Sequence, residues 1–153
     1  VMSLVRRLPN QHYTIVTSGA NIAIELSQRS RSTVSCVGGQ ISSSTLSLSG
    51  PQAEAFLGTV NIDTAVLAAT GYSTGAGFTV GSYTENSLKR RVIQKADKVI
   101  LLIDRSKLGR TLPFTFASLS DIDVVICDAP LPEDFIQAAR AAGTEVLQVQ
   151  PAK

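Results

Sequence analysis

No stretch of this 153-residue chain approaches the roughly 20 consecutive apolar residues that a membrane helix needs. Its first residues, V-M-S-L-V-R-R-L-P, lack the apolar core and small-residue cleavage site of a signal peptide. A soluble, cytoplasmic protein is therefore expected. Cysteine is scarce as well. Cys36 and Cys127 are the only two, each inside a predicted strand, with no C-x-x-C pattern and a single histidine, His12, elsewhere. This points to buried reduced thiols and away from a disulfide or a zinc site. One histidine and no nucleophile elbow also argue against a serine or cysteine triad. Neither G-x-G-x-x-G nor G-x-x-x-x-G-K-[ST] occurs, so dinucleotide and Walker-type nucleotide binding lose support, and no cofactor is expected. Charge is sparse too: charged residues make up 17% and the net charge is +2. The densest basic cluster, Lys89-Arg90-Arg91, is split around a helix and forms no groove-tracking stripe.

What is present is a globular composition, 44% hydrophobic, in a length that suits one domain with a full core. The chain is organised around Ser82 to Arg110, which reads as a helix, then an apolar strand, then a polar turn. At about 100° per residue, Leu88, Val92 and Ala96 share the inward face while Arg90, Arg91 and Gln94 point away. Glu85 and Lys89 fall on or beside that inward face. Lys98 to Ile103 is an unbroken apolar run, the pattern of a strand buried on both sides in a parallel sheet. It delivers Asp104, Ser106 and Lys107 to the carboxyl end, where open α/β sheets bind ligands. Each charge also has a plain structural reading. Ser82 and Glu85 have capping-box spacing, Glu85 and Lys89 suit an i,i+4 pair, and Asp104 suits a turn cap.

In chain order, Val1, Leu4, Val5 and Leu8 have helical spacing that stops before Pro9. No N-cap precedes them, so natural sequence is expected upstream. Tyr13 to Thr17 is a predicted strand with a Ser18-Gly19 turn, and Asn21 to Gln28 a helix with Ile22, Ala23 and Leu26 inward. Thr33 to Val37 is the next strand. It runs into Gly38-Gly39-Gln40, a tight turn or a place where bare backbone approaches a ligand. Leu46 and Leu48 alternate with serines, which favours a strand over Ser42 to Ser49. Gly50-Pro51 opens a helix that runs to Leu57, and Asp63 to Ala69 is a buried strand. Thr70 to Gly81 reads as the longest loop, glycine- and hydroxyl-rich, with a phosphate-holding capacity that includes Thr79. Leu112 to Leu119 reads as irregular. Asp123 to Cys127 is a strand, Leu131 to Gly143 carries a helix, and Glu145 to Val149 is the last strand. Alternating strands and helices imply a mostly parallel sheet with right-handed crossovers.

The segments V-T-S-G-A-N-I-A-I-E-L (16–26), V-G-G-Q (37–40), S-G-P-Q-A-E (49–54), L-K-R-R-V-I (88–93), L-I-D-R-S-K-L-G-R (102–110) and L-S-D-I-D-V-V-I-C-D (119–128) resemble the effector-sensing domain of DeoR-type bacterial transcription regulators. The resemblance covers almost the whole chain, and D-x-S-K-x-G and L-S-D-I-D are its most specific parts. It implies a Rossmann-like α/β fold, a mostly parallel sheet flanked by helices, similar to ribose-5-phosphate isomerase and glucosamine-6-phosphate deaminase. It also implies a phosphorylated sugar or related metabolite as effector. The family's winged helix-turn-helix and its S-G-T-T-like phosphate loop find no match in residues 1–153, so DNA would be met only through a preceding domain. The family's G-L-T-T-P loop is represented by Gly77-Phe78-Thr79-Val80-Gly81, with one threonine and the proline replaced.

Ribose-5-phosphate isomerases carry an acidic D-G-A-D-E-like motif where this chain has Ala68-Ala69-Thr70-Gly71-Tyr72. Without a carboxylate there, proton transfer between sugar carbons lacks a positioned base. The expected site is thus a binding site made of Ser18, Gly38, Gly39, Thr79, Glu85, Lys89, Asp104 and Lys107, in a homo-oligomeric sensor of a sugar-metabolism repressor. An isomerase of the same fold and an oligomerisation domain without ligand are the rival readings.

Overall fold

The computed structural model describes residues 1–29 and 31–149. The chain divides into two compact units, Val1–Val60 and Asn61–Lys153.

The first unit opens with a short helix, α1 (Met2–Val5), whose last carbonyls are closed by the Arg6 and Arg7 amides. Strand β1 (Thr14–Thr17) crosses through helix α2 (Ala20–Arg29) to β2 (Thr33–Cys36), and the two strands pair in parallel with Ile15 opposite Val34. Leu26 is the buried residue of α2, flanked by half-buried Ile22 and Ala23 on the face that the 3.6 period marks. The serine-rich segment is not the single strand that its leucine alternation suggests. Only β3 (Gln40–Ile41) and β4 (Leu48–Ser49) pair, antiparallel, around a turn closed by the Leu46 N–H to the Ser42 carbonyl at 2.8 Å. Leu46 itself takes a left-handed backbone, φ 55°, and is exposed. Helix α3 (Pro51–Gly58) starts with proline at its first turn, where no N–H is needed, and buries Ala53 and Leu57.

In the second unit, β5 (Ile62–Ala68) leads into a hairpin of β6 (Gly71–Ser73) and β7 (Gly77–Val80). Helix α4 (Tyr83–Lys95) runs straight into β8 (Ala96–Ile103), and a 3-10 turn at Arg105–Lys107 precedes β9 (Phe114–Ala117). A second 3-10 turn, Leu119–Asp121, leads to β10 (Val124–Cys127), helix α5 (Glu133–Ala142) and β11 (Glu145–Gln148). The strands form a four-stranded parallel sheet of order β11-β10-β8-β5 and a three-stranded antiparallel sheet of order β6-β7-β9. Central β8 is hydrogen-bonded on both sides, which is why Val99 to Ile103 could be an unbroken apolar run, whereas Lys98 before it is exposed. Leu101, Val125, Cys127, Phe78 and Ala139 are fully buried. A large apolar side chain buried to that degree stabilises the fold by about 1.5–3 kcal/mol.

Thr70 to Gly81 is a β-hairpin rather than a long loop, and Leu112 to Leu119 contains β9, its partner. Two of the hairpin's four glycines serve close packing. A Cβ on Gly71 would lie 2.5 Å from the Arg110 carbonyl oxygen, and one on Gly77 would lie 2.5 Å from that of Ala117. The capping box expected at Ser82 and Glu85 does not form either, since the Ser82 hydroxyl bonds the Thr84 hydroxyl and Glu85 turns to Lys89. A reaching-back acid of that kind stands instead in the L-S-D-I-D segment. There Asp121 accepts the Ser118 N–H at 2.7 Å, while Asp123 accepts the Val99 N–H at 2.6 Å.

Candidate functional site

The register of the parallel sheet sets the geometry. Ala68 stands opposite Leu102, and Ile103 opposite Cys127, so the ends of β5, β8 and β10 open on one edge. Polar groups collect there.

Lys89 projects from the second turn of α4 with its side chain 15% exposed. Its ammonium pairs with Glu85 Oε1 at 2.8 Å, donates to the Ala68 carbonyl at the end of β5, and lies 5.0 Å from the centre of the Phe116 ring. Partial burial strengthens the Coulomb attraction over that of an exposed i,i+4 pair, against the cost of desolvating both charges. It also fixes the cation at the strand end.

Asp104 is the first residue past β8. Its carboxylate accepts the Ser106 N–H at 2.9 Å and the Ser106 hydroxyl, closing the turn as the plain reading of an aspartate after a strand requires. Lys107 Nζ stands 3.9 Å from Asp104 Oδ2, at the limit of ion-pair contact, and its side chain is 30% exposed. The ammonium is held loosely. Asp128, the first residue past β10, accepts the Arg105 N–H at 3.2 Å and so ties the two strand ends together. Asp128 was not among the expected site residues, although its position matches that of Asp104: an acid ending an apolar run.

Thr79 departs from the expectation. It is fully buried, its hydroxyl donates to the Gly71 carbonyl and accepts the Leu112 N–H, and so it braces the hairpin instead of facing a ligand. In the Val1–Val60 unit, Ser18 follows β1 and its carbonyl accepts the Leu48 N–H at 2.6 Å. Gly39, at φ 92°, is approached by the chain's own Ser49 carbonyl, 2.3 Å from where a Cβ would sit. Gly38, at φ 77°, has no heavy atom within 4 Å of that position, so its requirement for glycine is conformational. The same unit has a cleft of about 260 Å³ beside α1 and α2, but Glu25 there already pairs with Arg6 and Arg29 at 3.2 and 2.9 Å.

The thiols divide. Cys127 is buried as expected, and burial, its largest influence, pushes its pKa up. Cys36 is exposed at the end of β2, against the expectation, and among the described strands β2 pairs only with β1. Burial also raises the Tyr72 phenol, with the Asp134 carboxylate adding to it. Among the described residues, no three His, Cys, Asp or Glu side chains are grouped to hold a metal ion. Among the same residues, no helix is long and apolar enough to cross a membrane.

A family model described as the DeoR C-terminal sensor domain matches residues 1–129. The chain belongs to this family. It is 34% identical over 147 residues to the HTH-type transcriptional regulator GlpR of Haloferax volcanii, covering 95% of this chain and 57% of that protein. It is 29% identical over 147 residues to the HTH-type transcriptional repressor GlcR of Bacillus subtilis, covering 96% and 57%. To the glycerol-3-phosphate regulon repressor of Escherichia coli K12 it is 28% identical over 130 residues, covering 85% and 52%. The chain thus spans little more than half the length of these relatives. The parallel sheet flanked by helices agrees with a DeoR sensor domain, and these relatives are named as transcription regulators or repressors.

Proposed function

We propose that this DeoR sensor domain binds a phosphorylated sugar or polyol at the carboxyl edge of its parallel sheet, as the ligand-sensing part of a cytoplasmic repressor of sugar metabolism. The observation that carries the reading is the partly buried Lys89 ammonium at the end of β5, on the same sheet edge as the turn that carries Lys107. Ammonium groups suit phosphate oxygens, and the carboxylates of Glu85 and Asp104 suit sugar hydroxyls. Lys107 is the more available cation, since its hold on Asp104 is weak. The acid-free stretch Ala68 to Tyr72 supports binding over proton transfer at sugar carbons. A ligand with different affinities for two arrangements of a homo-oligomer would then change DNA affinity elsewhere in the regulator, typically by a coupling of about 1–3 kcal/mol.

The name of the Escherichia coli relative makes glycerol 3-phosphate the first ligand to test. Thermal unfolding of the protein against a panel of sugar and polyol phosphates is expected to show a raised midpoint with one class. Ligand at 100 times its dissociation constant stabilises the native state by about 2.7 kcal/mol. Lys107→Ala should weaken that ligand roughly 10- to 100-fold, the range for losing a charge-assisted hydrogen bond. Unchanged affinity in this variant would remove Lys107 from the site, and no shift with any phosphate would remove the reading.

A further inference from the structure

Asn86 lies in the first turns of α4, and its N–H makes a 3.0 Å bond to the Ser82 carbonyl. The residue is 9% exposed, and its side-chain oxygen Oδ1 is buried with no hydrogen-bond partner. Buried amide oxygens are almost always paired, and one left alone destabilises the state that contains it. This one has a definite place relative to the strand ends. Helix α4 runs from the carboxyl edge of the sheet, where Lys89 meets Ala68, to the amino edge, where Ala96 pairs with Ile62. The Lys89 ammonium touches both Glu85 and the Ala68 carbonyl, so the turn of α4 that holds Glu85 and Asn86 lies level with the end of β5.

Lys89 shares the face of Asn86, and side chains on a helix lean toward its N-terminus, so the lysine stem lies over the turn that holds Asn86. The Lys89–Glu85 pair at 2.8 Å confirms that the ammonium reaches back across that turn. A phosphate that drew the ammonium away from Glu85 would shift the lysine stem off that turn and open the Asn86 side chain to the ligand. The exposed group is an acceptor with no donor to give up, so a hydroxyl that reaches it gains a bond without breaking one in the protein. Phosphate oxygens are acceptors and gain nothing there.

We propose that Asn86 is a specificity-determining residue of the strand-end site, its side-chain oxygen accepting a hydrogen bond from a ligand hydroxyl and so selecting hydroxylated phosphates over phosphates without hydroxyls. This rests on the sugar-phosphate reading above and adds the residue that reads the hydroxyl. The test measures dissociation constants of the whole chain for glycerol 3-phosphate against n-propyl phosphate, and for glucose 6-phosphate against n-hexyl phosphate. Wild-type protein should prefer the hydroxylated member of at least one pair. Asn86→Leu, which keeps the branched shape and removes the unpaired oxygen, should weaken the hydroxylated ligand about 5- to 10-fold and leave the alkyl phosphate unchanged. Its ligand-free midpoint should not fall below that of wild type. Asn86→Ala serves the same purpose if the leucine disturbs packing.

Retention of the wild-type preference in both variants would overturn the role of Asn86 while leaving the phosphate site standing. Failure of all four phosphates to bind wild-type protein would instead remove the site reading, and this inference with it.

Discussion

Lys89 satisfies one buried charge with a carboxylate, a main-chain carbonyl and a ring face, and so shows how a single side chain ties a helix to a strand end. Other residue-scale consequences concern titration. Burial keeps Cys127 and Tyr72 neutral in the folded state past their ordinary values of 9.0 and 10.0. The unfolded chain ionises these groups first, so their contribution to stability is full below pH 9 and is lost as pH rises through the raised folded values. Denaturant titrations of wild-type protein should show stability falling above about pH 9, and Tyr72→Phe should flatten the part of the fall above about pH 10. An equally steep fall in the phenylalanine variant would remove Tyr72 as its source. A thiol reagent should modify Cys36 in the native protein and reach Cys127 only on unfolding, which mass spectrometry of the labelled peptides would read directly.

At the scale of elements, the hairpin β6–β7 was illegible in the sequence for a physical reason. Four glycines among hydroxyl residues have low strand propensity, and the demand that put two of them there comes from Arg110 and Ala117, more than 30 residues away in sequence. The same holds for β9, whose pairing with β7 is non-local. Gly77→Ala should cost about 2–4 kcal/mol, combining a left-handed backbone, φ 71°, with a clash against a carbonyl oxygen. Gly143→Ala, at φ 80° with nothing within 4 Å, should cost only about 1 kcal/mol. Chemical denaturation of the two variants side by side checks the comparison, and equal losses would mean that β9 yields to the added methyl. The helices were easier to read because their signals are local: Pro51 at the start of α3, Gly143 in the left-handed position after α5, and the Leu88 stripe on α4.

Taken as a whole molecule, the Asn61–Lys153 unit hangs on β8, which carries partners on both sides, and its buried residues Val99, Leu101 and Ile103 join the main apolar cluster. Native-state hydrogen exchange should therefore be slowest at the amides of β8 and β10 and faster in edge strand β11, whose Leu147 is exposed. Uniform protection across the sheet would contradict that order. Ligand binding at the strand ends should slow exchange at the β8 end and in the first turn of α4, because ligand that binds only the native state suppresses opening there.

The sequence alone determined the alternation of strands and helices, the parallel sheet, the resemblance to DeoR sensors and the edge on which Asp104 and Lys107 stand. These follow from periodicity, capping residues and short motifs, all of which act within a few residues of chain. Only the tertiary structure decided that Thr79 braces a hairpin, that Asp128 bonds the turn after β8, that Cys36 is exposed, and that the Asn86 oxygen has no partner. Each depends on which distant backbone group lies within hydrogen-bonding reach, or on whether a distant element covers the residue. That is set when strands far apart in sequence come into register.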